Sequence, residues 1–135
     1  MTIAKDLTKN DLGETGAHQA GLHVPKSILA TGLFPKFAKG VKNPRLEIIV
    51  EDEAGKKWSL NLIYYNNKYF GGTRNEVRLT GVSGFFKRNA VSAGDTIIFQ
   101  SRNNKYFVKI KYKERHAAED NISLRLSSSW RTLDI

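Results

Sequence analysis

Two stretches of the chain alternate apolar and polar residues with a period of two and then turn back on themselves. In the first, Leu46, Ile48 and Val50 alternate with Glu47, Ile49 and Glu51, and the acidic turn EDEAGKK leads into WSLNLIYY. Side chains on a strand point alternately to its two faces, so Trp58, Leu60, Leu62 and Tyr64 share an inner face opposite Ser59, Asn61, Ile63 and Tyr65. In the second, DTIIFQSRNNKYFVKIKYK reads as a hairpin across Asn103 and Asn104, with Val108, Ile110 and Tyr112 opposing Lys109, Lys111 and Lys113. Nothing between these hairpins is long enough and helical enough to carry a parallel crossover, so the pairing is expected to be antiparallel.

The remaining elements are short. Pro25 opens a brief helix through KSILATGLF with Gly32 as its stop, and GFFKRN offers a helical turn. TRNEVRLT, from Thr73 to Thr80, reads as a short strand, and ISLRLS as a last one with Ile122, Leu124 and Leu126 inward. The sum is seven strands and two short helices, a mainly β domain built as an antiparallel barrel or sandwich. One domain is expected over residues 1–126, with 127–135 as a tail or the start of a linker that opens on the serines Ser127 to Ser129.

Charge narrows the partner. Twenty-two Lys and Arg against 13 Asp and Glu give a formal +9, which favours a polyanion, nucleic acid first. Part of it sits in the basic connecting loop FPKFAKGVKNP, where Lys36, Lys39 and Lys42 are interleaved with proline and glycine, and in Arg45 directly after it. The chain has no cysteine, which excludes disulfides, a thiolate nucleophile and a cysteine-held zinc. It shows neither a signal peptide nor an apolar run of spanning length, so a cytoplasmic location with no membrane partner is expected.

The functional residues concentrate in two places. Between Lys5 and Lys26, KDLTKNDLGETGAHQAGLHVPK carries Gly13, Gly16 and Gly21 beside His18, Gln19 and His23, with almost no hydrophobic periodicity. A loop that long is usually a binding or catalytic element, and its histidines and glutamine supply donors and acceptors for base edges, with Lys5 and Lys26 placed for phosphates. In TRNEVRLT, Arg74, Glu76 and Arg78 fall on one strand face. Arginine can grip guanine with two hydrogen bonds, glutamate can accept from cytosine, and the adjacent Asn75 can read adenine. The same spacing also fits a cross-strand salt-bridge face. Lys109 and its neighbours would position a duplex without specifying sequence. Two other function classes stay open at this point. One is a small metal-dependent nuclease using His18 or His23 with Glu76 and Tyr64 or Tyr65. The other is an RNA or polyanion binder using exposed aromatics such as Tyr65, Tyr69 and Phe70. The acids Glu51, Asp52 and Glu53 ahead of Lys56 superficially suggest a nuclease motif but read as a polar turn.

The blocks KDLTKNDLGETGAHQAGLHVPK and IYYNNKYFGGTRNEVRLT, in that order, resemble the N-terminal DNA-binding effector domain of EcoRII-type restriction endonucleases. GFFKRNAVSAGDTIIF resembles the DNA-binding pseudobarrel of plant auxin response factors, which shares that fold. The resemblance implies a seven-stranded open antiparallel pseudobarrel with two protruding arms that enter the major groove. Lys5, His18, Gln19, His23 and Lys26 would belong to the N-arm, and Arg74, Asn75, Glu76 and Arg78 to the C-arm. It also implies double-stranded DNA as partner, a short G·C-rich site of the CC(A/T)GG kind, and a prokaryotic cell. Cleavage would belong to a separate catalytic nuclease domain, and only that domain would need Mg2+; DNA binding itself would need no cofactor. Gly72 and Val77 stand where the family is richer in lysine, Ala17 where it has glycine, and His23 where it has an aromatic. Phosphate contacts would then fall to Lys68, Lys87 or Arg88.

Overall fold

In the computed structural model of the chain, the described residues are 1–14, 21–113 and 130–133. Among them eight strands form one sheet: β1 (Thr2–Asp6), β2 (Leu22–Val24), β3 (Arg45–Glu51), β4 (Lys57–Tyr65), β5 (Glu76–Thr80), β6 (Thr96–Arg102), β7 (Lys105–Lys111) and β8 (Trp130–Thr132). Their spatial order is β2-β5-β4-β3-β7-β6-β1-β8. Every pairing is antiparallel except a short parallel contact of β3 with β7 at Val50 and Glu51. That contact joins the two hairpins read from the sequence into one curved sheet. The architecture is the expected mainly β pseudobarrel, with one strand more than the seven counted.

The alternation works as period two requires. Ile48 and Val50 of β3 and Leu60 and Leu62 of β4 are buried, whereas Ile49 is exposed. At the β6–β7 turn Asn103 and Asn104 have φ of 52° and 62°, the pair of positive values that a two-residue hairpin turn needs. At the β3–β4 turn Asp52 accepts hydrogen bonds from the backbone of Ala54 and Lys56 and from the Trp58 indole, each at 2.9 Å. The indole bond, with the two backbone bonds, holds the Asp52 carboxyl below its ordinary pKa. The acidic run is therefore a capped turn. Two short helices, α1 (Lys26–Leu29) and α2 (Ser83–Arg88), fall where expected. Ile28 of α1 and the following Leu33 and Phe34 pack into the core, as do Phe85 and Phe86 of α2.

Three features depart from the sequence reading. The first residues form a buried strand that the sequence reading left unassigned: Ile3 and Ala4 are fully covered, and β1 pairs with both β6 and β8. The strand of the second arm starts at Glu76 and not at Thr73. The fold also runs past the expected boundary at residue 126. Trp130 is buried, stacks on Phe99 at 5.9 Å, and its indole N–H donates to the His23 carbonyl at 2.8 Å. The reading missed it because a three-residue strand has no measurable period. The segments ISLRLS and Ser127 to Ser129 lie outside the described residues. No described helix is long and apolar enough to cross a membrane.

Because Trp130 ties one edge strand to the other, its loss should open the barrel. Trp130→Phe, which keeps a stacking ring but removes the donor, is expected to cost about 1 kcal/mol, and Trp130→Ala about 3–5 kcal/mol. Urea unfolding measures both. A Trp130→Ala midpoint equal to that of the unaltered chain would show that this segment adds nothing to the fold.

Candidate nucleic-acid interface

Cross-strand registry sets one row of residues across four strands: His23 of β2 faces Arg78 of β5, which faces Ile63 of β4, which faces Arg45 of β3. The next row is Leu22, Leu79, Leu62 and Leu46, which faces the core. The His23 row therefore lies on the barrel's outer face, since alternate residues point to opposite sides. The loop from Asn66 to Asn75 leaves this face between β4 and β5 and is the C-arm. It starts with a 3₁₀ turn, Asn67–Phe70, that leaves Tyr69 and Phe70 exposed.

The arginines of this arm are not equivalent. Arg74 lays its guanidinium on the Tyr65 ring, 3.7 Å from the centroid, and binds Glu76 Oε1 through Nε at 2.8 Å and NH2 at 2.7 Å. It keeps 39% of its side-chain exposure. Arg78 is buried instead, with NH2 donating to the Gly21 carbonyl at 2.9 Å and NH1 3.7 Å from Glu76 Oε2. The salt-bridge reading of the Arg-x-Glu-x-Arg spacing holds, since the carboxylate pairs with both arginines, and Arg74 keeps its outer face open. Arg78 acts as a strut. Asn75 accepts a 2.8 Å hydrogen bond on Oδ1 from the Tyr64 hydroxyl, whose pKa is raised above its ordinary value, chiefly by burial. The amide nitrogen of Asn75 then points away from Tyr64 as a donor.

The N-arm is fixed at both ends, while its centre, with His18 and Gln19, lies outside the described residues. At its start, Lys5 follows Ile3 on the inner face by period two, so its ammonium is buried and paired with Asp11. Asp11 also accepts from the Thr8 backbone at 3.0 Å, and Thr8 Oγ1 accepts from the Asp11 N–H at 3.1 Å. A buried cation needs such a partner, so Lys5 holds the arm's root in place of the phosphate contact expected of it. At the arm's end, Gly21 has φ +76°, and a Cβ there would lie 2.1 Å from the Leu79 carbonyl oxygen. Only glycine lets β2 approach β5 this closely. His23 and Lys26 are exposed beyond it.

The four expected phosphate contacts separate. Lys68 is exposed on the C-arm turn. Lys87 and Arg88 end α2, whose Phe85 packs on Trp58 at the opposite end of β4, and Lys109 lines a cavity of about 320 Å³ with Glu51, Asp52 and Glu53. The seven residues of β3 lie between that end and Arg45, a span of about 20 Å. These three cations are therefore remote from the C-arm. Among the described residues no group of three or more His, Asp or Glu side chains is placed to hold a metal ion.

Sequence reasoning missed Asn66. This buried residue accepts from the Asn43 backbone N–H on Oδ1 and donates from Nδ2 to the Val41 carbonyl, both at 2.7 Å. The NN pair of IYYNNKYF offers no signal for this, because the partners lie 23 and 25 residues away.

An open barrel carrying two rooted loops over a charged outer face has the architecture of B3-like DNA-binding pseudobarrels. Residues 1–123 match the family described as restriction endonuclease EcoRII, N-terminal, and the chain belongs to that family. The type II restriction enzyme EcoRII of Escherichia coli is 39% identical over 79 residues, 56% of this chain and 19% of the enzyme. A putative B3 domain-containing protein of Oryza sativa subsp. japonica is 30% identical over 117 residues, 86% of this chain and 36% of that protein. The chain thus spans between 19% and 36% of the length of these two relatives. Among solved structures, the Arabidopsis FUS3–DNA complex aligns with a TM-score of 0.62 at 20% identity, covering 82% of this chain and 96% of that one. The N-terminal domain of Helicobacter pylori LlaJI.R1 aligns with a TM-score of 0.56 at 13% identity over 100% of this chain and 99% of that one. At these identities the structural likenesses speak for the fold.

The two arginines should separate in stability measurements. Arg78→Ala leaves the Gly21 carbonyl and part of Glu76 without a donor and should cost about 1–3 kcal/mol. Arg74→Ala, on a half-exposed side chain, should stay within about 0.5 kcal/mol. Thermal unfolding of both variants checks this, and equal losses would mean that Arg78 is no strut.

Proposed function

We propose that this chain binds double-stranded DNA sequence-specifically, with both arms in the major groove, as the target-recognition effector domain of a Type II restriction endonuclease. The observation that carries the reading is the preorganised C-arm: Arg74 is held flat by Tyr65 and oriented by Glu76, yet remains open to a ligand. A guanidinium fixed in this way loses little freedom on binding, and its two-pronged donor set matches the O6 and N7 of guanine.

Asn75 is the second reader. Its Oδ1 is engaged by Tyr64, so it offers a donor and suits the acceptors of guanine or thymine better than the paired donor and acceptor of adenine. Glu76 serves first to aim Arg74. His23 stands in the strand that leads out of the N-arm and Lys26 opens α1 just beyond it, and His18 and Gln19 complete that arm. A short G·C-rich target of the CC(A/T)GG kind fits a guanine-reading arm. Strand cleavage belongs to a catalytic nuclease domain that works with this one and supplies the Mg2+ chemistry, while this chain directs it to the site.

The test is binding of the purified chain to a CC(A/T)GG duplex and a scrambled duplex across a salt series, with and without magnesium. Preference for the target that persists as salt rises, without cleavage, is expected, because phosphate-only binding decays steeply. Equal, salt-fragile binding to both duplexes would indicate a general polyanion binder, and magnesium-dependent cutting would indicate a nuclease. Arg74→Ala should weaken target binding by about 1–3 kcal/mol and narrow the gap to scrambled DNA. Tyr64→Phe should narrow the gap without weakening scrambled binding, since it frees the Asn75 amide to turn. A uniform loss on both duplexes would contradict that role.

A further inference from the structure

The basic loop between α1 and β3 belongs to the same end of the barrel as the C-arm and is fastened to it at several points. Phe37 packs on Tyr64 with ring centroids 5.7 Å apart. The Tyr64 N–H donates to the Pro44 carbonyl at 3.0 Å, and Pro44 is buried. Asn66, at the root of the C-arm, holds Val41 and Asn43 with the two ends of its amide. Asn43 sits at φ 51°, a conformation that asparagine tolerates far better than branched residues, and this aims its N–H at Asn66. The backbone is thus anchored inward while Lys36, Lys39, Lys42 and Arg45 are all exposed. Strand order puts the C-arm, on β4 and β5, between β2 on one side and β3, which this loop feeds, on the other.

We infer that the loop from Lys36 to Arg45 is a third DNA-binding element, which grips backbone phosphates in the duplex flanking the target, beside the C-arm. The inference rests on the DNA-recognition reading above. The chemistry is that of a phosphate clamp: four exposed cations with proline, glycine and valine between them, and no acidic residue from Leu33 to Arg45. An anchored backbone makes this a fixed site. Cations on a free loop would lose more freedom on contact and would track any polyanion. The same bonds tie phosphate grip to base reading, because Asn66 opens the arm that presents Arg74 and Asn75. Contacts made by the loop help set the register in which those two side chains meet the bases.

The test uses the duplex that the unaltered chain itself selects from a randomised pool, prepared with long flanks and also cut back on both sides to the selected site. Binding is measured across a salt series for the unaltered chain, for a loop triple variant (Lys36→Gln, Lys39→Gln, Lys42→Gln) and for a charge-matched triple elsewhere (Lys57→Gln, Lys105→Gln, Lys111→Gln). All six lysines are exposed, so equal thermal midpoints confirm that the variants fold. On the long duplex the loop triple should bind roughly tenfold or more weakly, with its log–log salt slope shallower by about two to three, near 0.9 per lost phosphate contact. On the trimmed duplex this deficit should largely vanish, and the control triple should lose much less on either. A deficit of equal size on long and trimmed duplexes, an equal loss in the control triple, or no loss at all overturns the inference while leaving sequence recognition intact. If the unaltered chain selects no sequence, the recognition reading falls, and this inference with it.

Discussion

The hydrogen bond from the Trp130 indole to the His23 carbonyl is the seam of this molecule. Strands β2 and β8 are the two edges of the sheet, and an open edge leaves backbone donors and acceptors without partners. One indole spans the gap between them, buried against Phe99 on one side and bonded to the strand that leaves the N-arm on the other. The consequence reaches the functional face. His23 stands in the registered row that also holds Arg78 and Arg45, so the closure that completes the barrel also fixes the edge of the surface the arms rise from.

The arms illustrate a division between rooting and reading. Three polar side chains hold the roots: Lys5 pairs with Asp11, Arg78 with Gly21 and Glu76, and Asn66 with Val41 and Asn43. Buried charges and amides are costly unless paired, so such sites tolerate little movement. Toward the tips the balance reverses, and Lys68, Tyr69, Phe70 and the outer side of Arg74 stay open. Glu76 belongs to both regions. One oxygen holds the exposed arginine and the other faces the buried one, which couples the orientation of Arg74 to the packing beneath it.

Much of this was legible in the chain. Period-two alternation located β3, β4, β6 and β7, and the Asn103–Asn104 turn, because a face buried on one side writes itself into every second residue. The two motif blocks marked the segments that join β1 to β2 and β4 to β5. The roles within them were another matter: spacing places Arg74, Glu76 and Arg78 on one face but is silent on which arginine is covered. Lys5 looks like a phosphate contact in a polar loop until its strand is seen to turn it inward. Lys87, Arg88 and Lys109 shared a charge with the loop between β4 and β5 and not a location.

The sequence by itself determined the strand class, the two hairpins and the positive charge, since each of these follows from local periodicity, turn chemistry and composition. Only the tertiary structure decided which strands became neighbours, that Trp130 belongs to the core, that Arg78 is buried and Arg74 left open, and that the basic loop lies against the loop between β4 and β5. Those outcomes depend on contacts between residues far apart in the chain, such as the 107 positions separating Trp130 from His23, and no local pattern encodes a partner at that distance.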